Sequence, residues 1–257
     1  MSAPQPRTER HGVSVTLKGV RKGYGTRPVL DGVDLDVAAG ELLAVVGQSG
    51  QGKSVLLRQI VGLERVDGGT IAVGGLPLDR YLALPPEEKA FRIAMVFQGA
   101  ALLASLTVAE NVSLRLREHQ RLPADRTDAI VRRVLEQVEM TGTEHQLPAE
   151  LSGGMRKRVA IARALAVEPE LILYDEPTAD LDPILTEQIG ALIGRIRSSR
   201  GTTQIIVTHN LPLARAIADR IAVLDRGRIV ECSTPDELVR SGNPLTREFL
   251  RASALGT

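Results

Sequence analysis

Residues 47–54 read Gly47-Gln48-Ser49-Gly50-Gln51-Gly52-Lys53-Ser54, a complete G-x-x-x-x-G-K-[ST] phosphate loop. Its chemistry explains its spelling. The glycines let successive backbone N–H groups turn inward around phosphate oxygens. Lys53 brings a point charge to the β- and γ-phosphates, and the Ser54 hydroxyl is a ligand for Mg²⁺. The flanks agree. Leu42 to Val46 is an unbroken apolar run that predicts a buried strand. Ser54 to Val61 predicts a helix whose N-terminus faces the phosphates, with Val55 in its first turn. Strand, glycine loop and helix in this order set an α/β class with a nucleotide site.

The rest of the chain bounds what can surround that site. Its 257 residues suffice for one large α/β domain or a domain with a subdomain. At 43% hydrophobic and 25% charged it can build an ordinary core. The net charge of +1 gives no electrostatic argument for nucleic acid, and 2% aromatic residues leave little for base stacking. A single cysteine, Cys232, excludes an internal disulfide and a cysteine-rich zinc site. No apolar run approaches the ~18 residues of a membrane span. The first twelve residues carry Pro4, Pro6, Arg7, Glu9 and Arg10 without an apolar stretch, and read as a tail rather than a signal peptide.

Alternation predicts strands over Val13–Leu17 and Val33–Val37, a small β-subdomain against the phosphate-loop core. Gly68–Gly75 reads as a further short strand, and Ile93–Phe97 as a buried one. Pro85-Pro86-Glu87-Glu88-Lys89 reads as a turn leading into a helix. The pattern turns helical from about Leu102 to Ala166: Ile130, Val131, Val134, Leu135 and Val138 share one face, with Arg132, Arg133, Glu136 and Glu139 opposite. Strand character returns at Leu171–Tyr174, Gln204–Val207 and Arg220–Leu224. Asp225 to Arg228 predicts a hairpin turn. Thr234 before Pro235 starts a helix, and the residues after Gly242 read as a short peripheral tail.

Two further segments carry chemistry. Leu171 to Tyr174 runs into Asp175-Glu176. Beside a phosphate loop, Asp175 is placed to hold Mg²⁺ through water and Glu176 to polarise an attacking water; the plainer alternative is a solvated strand end. In Leu151-Ser152-Gly153-Gly154-Met155, Ser152 is a good helix N-cap and the glycines free backbone N–H groups. That makes an anion site at a helix start, or simply a capped helix whose basic residues Arg156, Lys157 and Arg158 face solvent.

The series of phosphate loop, Phe97-Gln98, Leu-Ser-Gly-Gly, Asp-Glu-Pro-Thr, Leu-Asp and Val207-Thr208-His209-Asn210 resembles the ATP-binding subunit of an ABC transporter over about residues 13–235. The resemblance implies a phosphate-loop ATPase core with an antiparallel β-subdomain and a helical subdomain near residues 99–166. The ATPase domain would span 13–240, between a tail at 1–12 and another at 241–257. It implies that ATP and Mg²⁺ bind. Tyr24 in Lys22-Gly23-Tyr24-Gly25 would stack on adenine. Gln98 would complete the Mg²⁺ and water site and sense a membrane partner. Glu176 would be the catalytic base, and His209 would contact the γ-phosphate. Asp182 would lie at a dimer seam. The phosphate loop of one subunit would face Ser152-Gly153-Gly154 of a second, so that a homodimer encloses two ATP molecules.

Several details resemble one branch, the ATPases of MCE-type phospholipid transporters. These are Gly52-Lys53-Ser54-Val55-Leu56-Leu57, Met155 where most transporters have Gln, Arg156-Lys157-Arg158-Val159-Ala160, the stretch Gln98 to Val112, and Leu116-Arg117-Glu118-His119. Ala101-Leu102-Leu103 departs from that branch, which has an aromatic residue there. The branch implies an integral-membrane permease, an MCE lipid-carrier protein, and a peripheral seat at the cytoplasmic face of the inner membrane. The alternatives are the ATPase of another ABC transporter, for lipoprotein release or a small solute, or a mechanical ATPase that transports nothing.

Overall fold

Leu42 to Val46 forms the strand that organises the molecule, buried throughout its length. In the computed structural model residues 12–120 and 122–255 are described. The expected N-terminal tail lies outside them except for Gly12, whose N–H donates to the Gly201 carbonyl at 2.7 Å.

In chain order the strands are β1 (Val15–Tyr24), β2 (Arg27–Val37), β3 (Leu42–Val46), β4 (Gly68–Val73), β5 (Leu76–Pro77), β6 (Ile93–Val96), β7 (Leu171–Asp175), β8 (Thr203–Thr208), β9 (Arg220–Asp225) and β10 (Arg228–Ser233). The helices are α1 (Lys53–Ile60), α2 (Leu78–Ala83), α3 (Val108–Arg115), α4 (Ala124–Gln137), α5 (Gly153–Ala166), α6 (Pro183–Arg200), α7 (Leu211–Ile217), α8 (Pro235–Val239) and α9 (Pro244–Leu255). The main sheet runs β10-β9-β3-β8-β7-β6. It is parallel from β9 to β6, and β10 closes one edge antiparallel through the expected turn at Asp225–Arg228. A second sheet, β2-β1-β4-β5, is antiparallel.

A period of two sorts the core into two layers. Leu42, Ala44 and Val46 of β3 face one cluster with Ile172, Tyr174 and Ile206. Leu43 and Val45 face the other, with Leu171, Leu173, Ile205 and Val207. The first cluster runs on through α5 and α6 to Val112 of α3 and Val131, Val134 and Leu135 of α4, so the helical segment shares its core with the sheet. The second is covered by α1 and the small antiparallel sheet, through Val15, Leu17, Val33, Leu35 and Leu56.

Some expectations change. β1 and β2 extend well past the predicted alternation, into Lys22-Gly23-Tyr24 and Arg27-Pro28-Val29; there the backbone pairs with register shifts and the side chains do not alternate between apolar and polar. The helix near the prolines precedes them: α2 stops at Ala83 because Leu84, before Pro85, is extended (ψ 139°), and only one 3₁₀ turn, Pro86–Glu88, comes after. The segment after Gly242 is the helix α9, with Phe249 buried in the first core cluster. Thr234 caps α8 in a reciprocal pair with Glu237, as its sequence suggests.

Candidate functional site

Strand register brings the phosphate loop, Gln98, Asp175, Glu176 and His209 to one edge, but does not place Tyr24, Ser152 or Asp182 there. Val46 of β3 pairs with Thr208 of β8, Val207 of β8 with Asp175 of β7, and Tyr174 of β7 with Val96 of β6. These are the C-terminal ends of neighbouring parallel strands. The residues just beyond them, Gly47–Gly52, His209, Glu176 and Gln98, therefore leave the sheet along one line. In open α/β sheets ligands bind outside the carboxyl ends of the strands.

Lys53 lies at the centre, 6% exposed. Its Nζ donates to the Gly47 carbonyl at 2.8 Å and the Gln48 carbonyl at 3.1 Å, inside the glycine loop. Glu176 Oε1 is 3.6 Å away. Burial pulls the Lys53 pKa down and the charge of Glu176 opposes it. The other Glu176 oxygen, Oε2, meets His209 Nδ1 at 3.0 Å and the His209 backbone N–H at 3.3 Å. With Nδ1 engaged, Nε2 is the ring nitrogen available to a ligand. Glu176 has a left-handed backbone (φ +45°), rare for a side chain with a Cβ and a form of strain that gathers at functional turns. Its N–H is held by the Val207 carbonyl at 2.9 Å.

The Ser54 hydroxyl donates to Asp175 Oδ1 at 2.7 Å. Burial raises the Asp175 pKa, the Ser54 bond lowers it, and neighbouring Glu176 raises it further. The glycines are required by their surroundings. A Cβ on Gly47 would lie 2.3 Å from the Leu224 carbonyl oxygen, and one on Gly52, at φ +100°, 2.9 Å from Leu30 Cδ2. Gln51 is tied to the β9–β10 turn, its Oε1 accepting from the Arg226 N–H at 2.6 Å. Gln48, Ser49 and Gly50 are exposed at the loop's tip, and Val55 is buried in the first turn of α1.

Ser152 caps α5, its Oγ accepting from the Met155 N–H at 3.2 Å. Gly153 and Gly154 form the first turn. Asp182 caps α6 in the same way, accepting from the Leu185 N–H at 2.9 Å. Tyr24 sits at the β1–β2 turn, 49% exposed.

Other partners in the site were not evident from sequence. Lys157 is 7% exposed, not solvent-facing, and donates to the Gln98 carbonyl, 59 positions earlier. Arg163 donates to the Ala101 and Ala100 carbonyls at 2.6 and 2.9 Å, both residues having positive φ. The helix that begins at Ser152 thus holds the loop that carries Gln98. One signal pointed to Lys157: with Gly154, Ile161 and Leu165 it falls on the buried stripe of α5.

A family profile described as "ABC transporter" matches residues 30–179. The chain is 36% identical over 245 residues to a protein of Mycobacterium leprae named "Probable ribonucleotide transport ATP-binding protein mkl", covering 95% of this chain and 71% of that one. The chain belongs to the ABC transporter family. It is also 42% identical over 217 residues to the methionine import ATP-binding protein MetN of Mesorhizobium japonicum, covering 84% of this chain and 59% of that protein. Among solved structures it is similar to the ATP-binding cassette MJ0796, a dimer in a post-hydrolysis state with ADP and Pi (TM-score 0.76, 32% identity, 86% of this chain and 98% of that one). It is also similar to cbiO1 of Clostridium perfringens, part of the ABC transporter complex cbiONQ (TM-score 0.79, 27% identity, 94% and 96%).

The chain is thus an ABC-type ATPase domain of a transporter, with an α/β phosphate-loop fold, and its substrate is ATP. Its donor set also fits Mg²⁺. Ser54 Oγ and Asp175 Oδ1 are adjacent hard oxygens, the kind Mg²⁺ takes one or two of from a protein before completing its shell with phosphates and water. Among the described residues no group of three or more His, Cys, Asp or Glu forms an all-protein metal cage. None of their helices is long and apolar enough to cross a membrane.

Proposed function

We propose that two copies of this chain close around two ATP molecules and use their hydrolysis to drive phospholipid movement through a membrane permease that works with an MCE lipid-carrier protein. The observation that supports the catalytic part is the Lys53–Glu176–His209 cluster, with Glu176 Oε1 3.6 Å from the Lys53 ammonium and Oε2 3.0 Å from the His209 ring. Lys53 leaves the loop carbonyls for phosphate oxygens. Glu176 takes the proton of the attacking water, held in place by its strained turn and by His209. Ser54 and Asp175, with Gln98, would hold Mg²⁺, which when bound would neutralise charge on the phosphates. His209 Nε2 reaches the γ-phosphate, and Tyr24 stacks on adenine.

The second copy supplies Ser152, Gly153 and Gly154 to each ATP. The first N–H groups of α5 and its dipole favour an anion there. Asp182 lies on the seam. A two-fold arrangement makes each chain contribute complementary halves to two sites. The phospholipid reading rests on the segments Gly52–Leu57, Leu151–Ala160 and Leu116–His119. The two relatives are named for ribonucleotide transport and methionine import, so their names do not converge on one substrate. The complex would seat this chain at the cytoplasmic face of the inner membrane.

The test is purification of the tagged chain from gently solubilised native membranes, with partners and lipids identified by mass spectrometry. A small permease, an MCE-domain protein and phospholipid are expected. A different permease, or a division protein with no bound lipid, overturns the phospholipid reading and leaves the ATPase mechanism intact.

A further inference from the structure

Tyr24 stands at the tip of a two-stranded turn, the kind of element that frays, yet side chains from another part of the chain hold it. Its hydroxyl donates to Glu64 Oε2. The other oxygen of that carboxylate faces Arg58 Nε at 2.5 Å, and Arg58 belongs to the last turn of α1. Lys22 Nζ lies over the Tyr24 ring, 5.6 Å from its centroid. Lys22 is in turn fixed by Asp67 Oδ1 at 2.8 Å, and Asp67 Oδ2 accepts the Gly23 N–H at 2.8 Å. The turn is therefore pinned at three successive residues, Lys22, Gly23 and Tyr24, to one segment, Arg58–Asp67. That segment continues the helix whose first residue is Lys53 of the phosphate loop.

We propose that Glu64, oriented by Arg58, is a positioning residue for nucleotide binding: it holds the Tyr24 ring at a fixed distance and angle from the phosphate loop, so that base and phosphates of one nucleotide engage together. The proposal rests on the reading of Tyr24 as the adenine platform. Its physical content is preorganisation. A half-exposed aromatic ring on a free turn must be ordered when the base arrives, at about 0.5–1.5 kcal/mol per side chain immobilised. A ring already held by a hydrogen bond at one end and a cation over its face carries that cost before binding. The carboxylate does the holding without touching the ligand.

The test is calorimetric titration of the full chain and its variants with two probes in the presence of Mg²⁺: ATP, and inorganic tripolyphosphate, which offers the phosphates without a base. Tyr24→Ala should weaken ATP about 10-fold or more, the range of base stacking, and leave tripolyphosphate unchanged. Tyr24→Phe and Glu64→Ala should each weaken ATP by about 2–10-fold, again with tripolyphosphate unchanged. The double variant should be no weaker than either single one, because both remove the same bond. ATP affinity within twofold of the parent in Glu64→Ala, with Tyr24→Ala still impaired, overturns the positioning role and keeps the adenine platform. Unchanged ATP affinity in Tyr24→Ala overturns the platform itself. Equal losses for ATP and tripolyphosphate in Glu64→Ala assign Glu64 to the shape of α1 and overturn the proposal. Additive losses in the double variant overturn it as well.

Discussion

Lys53→Ala removes the ammonium held inside the glycine loop. Its Nζ is within hydrogen-bonding distance of two loop carbonyls and 3.6 Å from Glu176, so it is a charge held in readiness, low in exposure and short of water. When phosphate oxygens replace those carbonyls, the bonds become charge-assisted on both sides, worth about 1.5–3 kcal/mol each. Two such contacts, about 3–6 kcal/mol, less the carbonyl contacts and part of the Glu176 attraction given up, leave a net of at most about 3 kcal/mol, or up to about 100-fold in Kd. The substitution should therefore raise the Kd for a fluorescent ATP analogue by about 10–100-fold. Glu176 keeps its His209 contacts, and the small side chain opens no apolar core, so the fold should persist; a thermal melt without nucleotide checks that. A variant that melts like the parent and binds ATP within twofold of it would refute the placement of phosphates over this loop.

Other consequences can be read directly. Asp175 has a raised pKa because it is buried, so its ionised form is costly in the folded protein, and the parent gains stability as pH falls through that raised pKa. Asp175→Asn, which keeps an oxygen for the Ser54 hydroxyl, should melt about 2–4 °C higher at neutral pH without nucleotide, for ~1 kcal/mol gained. The advantage should shrink on acidification towards the ordinary carboxylate range, and the variant should lose Mg²⁺-dependent stabilisation by ATP. A pH series of melting curves reads both, and a lower melting point at neutral pH contradicts the electrostatic argument. Tyr174 is fully buried in β7, its hydroxyl has no hydrogen-bond partner among the described residues, and burial raises its pKa. Tyr174→Phe removes an unpaired polar atom without changing the packing shape. It should be neutral or stabilising by about 1 kcal/mol, whereas a loss of 2 kcal/mol or more in urea unfolding would show that the hydroxyl is satisfied.

How much was legible depends on how local each signal is. β3, β7 and β9 were visible because a strand buried on both faces leaves an apolar run, and their ends carry Gly47, Asp175 and Asp225. Ser152 was readable at a helix start because capping is written within four residues. The outer halves of β1 and β2 were missed because their pairing is made by backbone while Lys18, Arg21 and Lys22 face outwards or bind acids. α9 was misread because nothing local shows that Phe249 reaches the core. The contacts of Lys157 with Gln98 and of Tyr24 with Glu64 join residues 59 and 40 positions apart. No spacing rule reaches that far; strand register and helix packing create these contacts.

In the proposed dimer nucleotide lies between two copies of this chain, held on one side by the loop around Lys53 and on the other by the helix start at Ser152. The most direct measurement is sedimentation velocity of Glu176→Gln, which removes the base but keeps the loop, with and without saturating ATP and Mg²⁺, alongside a hydrolysis assay. Turnover should fall about 10²–10⁴-fold, and the variant should shift from one chain to two only when ATP is present, with two nucleotides recovered per pair. A variant that hydrolyses ATP at the parent's rate, or that binds ATP while remaining a single chain at every concentration tested, would contradict the proposal.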